Sequence, residues 1–148
     1  MKLIQKNKKA YFDYEILQEF TVGIVLTGPE IKSIRNGNIN LKGSYVTIQS
    51  GEAFLKNAHI SKYQYDSSED HDIFRIRKLL LNKRELNKIA NQLNTQGVTM
   101  VALAIGLEGK YAKLKIALAR GKKKHDKRET IKGREQKRQL DRLVKSYR

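Results

Sequence analysis

The charge of this chain is unevenly placed, and this limits where a folded core can form. Residues 119–148 hold 13 Lys/Arg against 4 Asp/Glu, a formal +9, whereas the other 118 residues hold 18 against 11. More than half of the net +16 therefore lies in about a fifth of the 148 residues. Apolar positions are sparse there: Ile131, then Leu140, Leu143, Val144 and Tyr147 in one short stripe at helical spacing. Such a segment repels itself and buries too little to offset its ordering entropy. It is expected to be disordered when free and to become a helix on a polyanion. The core must come from residues 1–119, long enough for one domain. The expected division is a body, 1–119, and a basic tail, 120–148.

The body has mainly strand signals. Phe12, Tyr14 and Ile16 alternate with polar residues, as in a half-buried strand, and a second strand is expected over 21–26. Pro29 suits a first helical position, Glu30 a first turn and Gly37 a left-handed stop, which predicts a short helix with Ile31 and Ile34 inward. Residues 45–49 and 52–55 flank Ser50-Gly51, a hairpin signal, and His59-Ile60 is expected to continue that strand. The polar run 67–72 reads as a loop. After the basic strand 75–81, Asn82 caps a helix in which Leu86, Ile89, Ala90 and Leu93 share one face, and Gly97 ends it. Two last strands are expected at 98–105 and 111–119. In the second, Ala112, Leu114, Ile116 and Leu118 face one way and Tyr111, Lys113, Lys115 and Ala117 the other, giving one wet, basic face. About six short strands with one short and one longer flanking helix make a mainly β fold, a small barrel of the oligonucleotide-binding type.

Several function classes fit poorly. There is no cysteine, so disulfides, thiolate catalysis and Cys-based zinc sites are excluded. His59, His71 and His125 are scattered, which argues against a shared metal or nucleophile centre. Gly106 and Gly109 lack the spacing of a phosphate loop. No catalytic residue, metal or cofactor is expected. No apolar run approaches a membrane span, and no apolar signal region follows the basic N-terminus, so the cytosol is the expected compartment and no membrane partner is expected.

Basic and aromatic residues are more informative. Lys8, Lys9, Tyr11 and Tyr14, then Arg75, Arg77 and Lys78, then Lys113 and Lys115 form a candidate RNA surface, in which cations neutralise phosphate and aromatic rings stack on unpaired bases. The alternative for any one of them is a solvated lysine or a core aromatic. Leu79-Leu80-Leu81 reads most simply as core, with room for one leucine to pack on a base. A ribosomal or assembly protein with a rigid core and basic tail, or an RNA-processing enzyme, is also compatible with composition alone.

Five stretches together resemble one family. They are Asn7-Lys8-Lys9-Ala10, Gly28-Pro29-Glu30-Ile31-Lys32-Ser33-Ile34-Arg35-Asn36-Gly37, Gly51-Glu52-Ala53-Phe54-Leu55, the run from Arg75-Ile76-Arg77-Lys78-Leu79-Leu80-Leu81 to Leu86, and Ala119-Arg120-Gly121-Lys122-Lys123-Lys124-His125-Asp126-Lys127-Arg128. Their order and content resemble the SsrA-binding protein, or small protein B, family of bacterial trans-translation. The resemblance implies an oligonucleotide-binding barrel that binds the tRNA-like domain of transfer-messenger RNA. It implies delivery, with elongation factor Tu joined through the RNA, to the A site of a stalled ribosome, for ribosome rescue and peptide tagging. It further implies that the tail becomes helical in the vacant message channel of the small subunit.

By position, Leu80 and Lys113 match family residues that contact the RNA. Asn7, Lys8, Glu30, Lys32, Ser33, Arg35, Arg77 and Lys78 lie in the family's RNA-binding motifs, although Glu30 could instead orient lysines or cap backbone amides. Gly121, Lys122, Lys123, His125, Asp126, Lys127 and Arg128 match the tail motif that works at the decoding centre, with His125 placed to stack on a ribosomal base. Thr21 stands where many members have Glu after the aromatic Phe20, and Ile73 stands in the place of a Pro that often follows His-Asp or Asn-Asp.

Overall fold

The computed structural model describes residues 2–65 and 72–122. The described residues form nine strands and three helices. In order these are β1 (Lys2–Lys6), α1 (Lys8–Asp13), β2 (Tyr14–Ile24), α2 (Gly28–Arg35), β3 (Ile39–Asn40), β4 (Tyr45–Gln49) and β5 (Glu52–Lys56). They continue with β6 (His59–Ile60), β7 (Arg77–Leu80), α3 (Lys83–Leu93), β8 (Val98–Glu108) and β9 (Tyr111–Gly121).

Six of the strands close a ring, β8-β4-β5-β7-β2-β9 and back to β8, with all pairings antiparallel. The expected small barrel is therefore the architecture found. Two seams are short: β4 meets β8 through Tyr45 and Val101, and β2 meets β7 through Gly23 and Ile24. Beyond the β4 seam, β1 pairs with the second half of β8. The inner face is one apolar cluster, including Val22, Ile34, Leu55, Leu79, Ile89, Leu114 and Ile116. A smaller cluster lies outside the ring, where Ala10 of α1 packs on Val101, Leu103, Ala117 and Ala119. Coverage on both faces explains why β8 is a nearly continuous apolar run.

The helices start where their caps predict. Thr27 and Asn82 each complete a capping box, with Glu30 and Glu85 reaching back to the cap N–H. Ile34 and Ile89 are the residues these helices bury most fully among their apolar positions. The hairpin at Ser50-Gly51 also forms, with both residues at positive φ.

The departures have local causes. Residues 8–13 form a helix, not the start of a strand, because Asn7 caps it by accepting from the Ala10 N–H and the alanines of β8 and β9 give it a seat. The strand that follows is one element, not two. A bulge between Ile16 and Gln18 switches its inward face, so Ile16 packs under α1 while Phe20 and Val22 turn to the core. The short charged β1 lacks an apolar alternation that would mark it as a strand, since Ile4 alone in it packs on the main core. His59-Ile60 does not continue β5 but pairs with β3 in a separate two-stranded sheet. The face of β9 opposite the core is wet only at its first half, because Ala117 and Ala119 are covered by α1. The expected loop over 67–72 lies almost wholly outside the described residues.

Candidate nucleic-acid interface

Strand register gathers the exposed candidates into rows on the outer surface of the barrel. Leu80 on β7 stands opposite Gly23 on β2, and Gly23 stands opposite Lys113 on β9. Lys113 in turn faces Gly106 on β8, which faces Leu3 on β1. Cross-strand partners share a sheet face, so this row runs leucine, glycine, lysine, glycine, leucine. Leu80 is 56% exposed and Leu3 54%, large values for apolar side chains. A Cβ on Gly23 would lie 3.3 Å from Leu80 Cδ1, so the missing side chain is what lets Leu80 lie across β2. The neighbouring row is Lys6, Ala104, Lys115 and Thr21. Lys115 also reaches Glu19 at 3.5 Å. Small residues alternating with lysines leave a shallow strip where a phosphate backbone can approach the sheet. An exposed leucine at its edge offers an apolar surface to a base.

Lys78, also on the outer side of β7, is exposed and bonded to Glu52 at 3.1 Å. Lys32 and Arg35 are exposed at the C-terminal turn of α2, where they complement the helix dipole, and the Lys32 ammonium sits 5.4 Å from the Tyr63 ring centre. Lys8 is exposed on α1.

Four candidates are buried. Glu30 is 1% exposed and Arg77 is 0%. One Glu30 oxygen accepts from Arg75 Nη2 at 2.5 Å and from the Thr27 N–H at 2.9 Å; the other accepts from Arg77 Nε at 2.7 Å. The rest of the Arg77 guanidinium donates to the carbonyls of Ala58 and Ile73. Burial opposes the charged carboxylate. The hydrogen bonds from Arg75, Thr27 and Arg77, with the Arg77 charge, outweigh it and hold the Glu30 pKa down to about 2. Burial also pushes the Arg77 guanidinium below its ordinary value, and Glu30 offsets part of that. Ser33 donates to the Ser61 carbonyl at 2.6 Å, and Asn7 donates to the carbonyls of Leu41 and Ala102. These side chains tie α2, β6 and β7, or α1, β3 and β8, to one another. Arg77 is 0% exposed, and all three of its nitrogens donate to protein acceptors, so in this fold it ties β7 to α2 and to the segments carrying Ala58 and Ile73.

Of the tail residues, Gly121 ends β9 opposite Tyr14, and the Lys122 N–H donates to the Asp13 carbonyl at 2.9 Å. Strand pairing thus runs past residue 119. Lys123, His125, Asp126, Lys127 and Arg128 lie outside the described residues. Among the described residues no helix is long and apolar enough to cross a membrane, and no group of His, Cys, Asp or Glu could hold a metal ion. Gly23, Leu3 and Lys6 were not singled out from sequence as contacts. The signal for Gly23 was a glycine inside an otherwise regular strand pattern.

The family model described as SmpB protein matches residues 4–146. The SsrA-binding protein of Enterococcus faecalis is 48% identical over 147 residues, covering 99% of this chain and 96% of its own. That of Geobacillus kaustophilus is 48% identical over 144 residues, covering 97% and 93%. A solved chain described under "tmRNA-SmpB: a journey to the center of the bacterial ribosome" superposes with a TM-score of 0.69 at 38% identity, covering 86% of this chain and 93% of that one. A six-strand ring with an outer basic strip, matched along nearly its whole length by these relatives, places the chain in the SmpB, or SsrA-binding protein, family.

Proposed function

We infer that this protein is an RNA-binding adaptor that binds transfer-messenger RNA and brings it to stalled ribosomes for trans-translation. The observation that carries this is the family membership over residues 4–146, in a chain whose outer barrel face sets Lys113 and Leu80 around Gly23. Within this reading the protein carries out no bond-making step. The tRNA-like domain of the RNA lies on the strip formed by Leu80, Gly23 and Lys113, with Lys78 beside it and Lys32, Arg35 and Lys8 as outlying cationic contacts. Asn7, Glu30, Ser33 and Arg77 serve the same interface from inside, by fixing the elements that present it. Residues 1–119 with the last two residues of β9 act as the RNA-binding body and the remaining chain as the ribosomal tail. In the tail, Lys122, Lys123, His125, Asp126, Lys127 and Arg128, following Gly121, address the decoding centre. Elongation factor Tu joins through the RNA, and the compartment is the cytoplasm.

The test is recovery of RNA bound to the protein in cells, followed by sequencing. Dominant transfer-messenger RNA is the expected result; bulk ribosomal RNA without enrichment of that species would overturn the reading in favour of a ribosomal protein. Truncation after Lys122, which spares the β9 pairing, separates the two regions: RNA binding should persist while peptide tagging on stalled ribosomes is lost. Equal loss of both would reject the division.

A further inference from the structure

The far end of the barrel holds a cavity that the strip around Lys113 does not use. It has a volume of about 220 Å³ and lies between α1, the turn joining β3 to β4, and β8; its lining includes Lys9, Tyr14, Tyr45 and Thr99. A second cavity of about 210 Å³ shares Asn7 and Lys9 with it and is lined also by Lys6, Lys8 and Lys42, with no acidic residue in its lining. Register separates the first from the Lys113 strip, whereas Lys6 of the second lies in the row next to it. Tyr14 pairs with Gly121, whereas Gly23, nine residues further along β2, pairs with Lys113. At the rise of a strand that is roughly 25–30 Å.

The walls are fixed in place. The Asn7 amide bridges the carbonyls of Leu41 and Ala102 at 3.0 and 2.9 Å. Ser44 donates to the Leu41 carbonyl at 2.6 Å, and Asn57 donates to the Gly43 carbonyl at 3.1 Å across the turn that leads into Tyr45. Gly43 holds the φ of +78° that this turn requires. The amide of Asn7 and the hydroxyl of Ser44 are thus committed to the protein, and Tyr14 and Tyr45 are the aromatic side chains in the lining. An enclosed cavity of about 150 Å³ is enough for a benzene ring, and this open one, at about 220 Å³, is of a size for one planar base. A base in the cavity and phosphates along the neighbouring lysines would occupy the two spaces in the way single-stranded nucleic acid uses stacking platforms beside cationic grooves.

We propose that the cavity bounded by Tyr14 and Tyr45 is a site for one unpaired nucleotide of single-stranded RNA, with its flanking phosphates along Lys6, Lys8, Lys9 and Lys42. This rests on the RNA-binding reading and extends it: the base site is additional, while the phosphate path begins at Lys6 and Lys8, which border the surface already described. The site sits at the root of the tail, since the Lys122 N–H donates to the carbonyl of Asp13, itself in the lining.

The test uses the full chain and a fluorescein-labelled single-stranded octaadenylate, read by anisotropy at fixed salt, beside the tRNA-like fragment of transfer-messenger RNA. Tyr45 is 42% exposed, so Tyr45→Ala spares the core. It should weaken octaadenylate binding roughly tenfold and leave the structured fragment within about twofold; Tyr45→Phe should restore binding, and Lys9→Ala should reduce the salt slope by about 0.7, the single-strand value. Lys113→Ala should give the reverse pattern. Octaadenylate binding unchanged by both Tyr45→Ala and Lys9→Ala would overturn the site, as would failure of octaadenylate to bind while the structured fragment binds normally. Either result leaves the adaptor function standing. Failure of the unmodified protein to bind the structured fragment would instead reject the adaptor function. Tighter, competing binding by an oligoglutamate peptide would reassign the cavity to an acidic protein segment and overturn the proposal.

Discussion

Two regions of the barrel draw on the same sequence motifs and do opposite things with them. Around Glu30, charged groups are buried: Arg75 and Arg77 share one carboxylate, and Arg77 also holds the carbonyls of two other segments. Around Gly23, an apolar residue is exposed: Leu80 lies across the strand, and Lys113 stands on the other side. Residue type would have assigned these the other way round, with the arginine facing a phosphate and the leucine in the core. What decides is the side of β7 each occupies. Arg77 and Leu79 point in, Lys78 and Leu80 point out, and one position of register separates a buried tie from a surface contact.

The comparison is tested most strongly on the buried side. Glu30→Ala leaves two arginines without their counter-charge, one of them wholly buried, and breaking such a pair costs about 3–5 kcal/mol. The expected outcome is a fall of the melting temperature on the order of 10 °C or more. RNA binding measured well below the melting point should change far less. A variant that melts normally but has lost RNA binding would move Glu30 into the interface and erase the distinction.

The same carboxylate makes the fold acid-sensitive in a defined window. Its pKa is about 2 in the folded chain against an ordinary 4.5. The unfolded chain therefore takes up the proton first as pH falls. Stability from this group is complete above pH 4.5, declines below it, and is gone once pH passes about 2. The shift corresponds to about 3 kcal/mol at most. Urea midpoints between pH 6 and pH 2.5 should fall for the native chain, and the fall should be distinctly smaller in Glu30→Gln. Parallel curves for the two proteins would show that the acid sensitivity lies elsewhere.

Much of this architecture was legible in the sequence where two local signals agreed. Pro29 and Glu30 with Gly37, and Asn82 with the stripe from Leu86 to Leu93, announced both longer helices, and Ser50-Gly51 announced the hairpin. The alternation of Ala112, Leu114, Ile116 and Leu118 named the core face of β9. The reading failed where only tertiary packing decides. Residues 8–13 fold as a helix because Ala10 fits against alanines about a hundred residues away, and the bulge near Leu17 broke a single strand into two apparent ones. The site was legible as a set of basic motifs but not as a surface. Four of its members are buried, and nothing in the order of residues distinguishes a lysine at the rim from an arginine in the wall. Gly23 carried the opposite lesson, since an absent side chain leaves no charge or periodicity to notice.

On the exposed side, Leu80→Ala should weaken binding of the tRNA-like RNA by about 1.5 kcal/mol, roughly tenfold, if the leucine packs on a base. Thermal stability should be almost untouched, because more than half of the side chain is already in water. Gly23→Val should mimic this more weakly. Valine suits a strand, but its Cβ would meet Leu80 at 3.3 Å and push that flexible side chain from its place over β2. Binding should fall by about threefold to fivefold, near 1 kcal/mol. Combining the two substitutions should cost little more than Leu80→Ala alone, because both act through one side chain. Full additivity would mean that Gly23 matters for the approach of the RNA itself.

The smallest effect bears most directly on mechanism. Lys113 is half-buried between two glycines, so its charge is held close to the sheet where a phosphate could reach it. Each phosphate neutralised by a protein cation releases counterions and adds about one to the slope of log K against log salt. Lys113→Ala should therefore lower that slope by about one, and its penalty should shrink as salt rises. Loss of apolar contact in Leu80→Ala should leave the slope unchanged. If Lys113→Ala weakens binding without changing the slope, the lysine is acting through its methylene stem or through neighbouring Gly23. The strip would then recognise the RNA by shape and stacking, with its positive charge supplied from other parts of the chain.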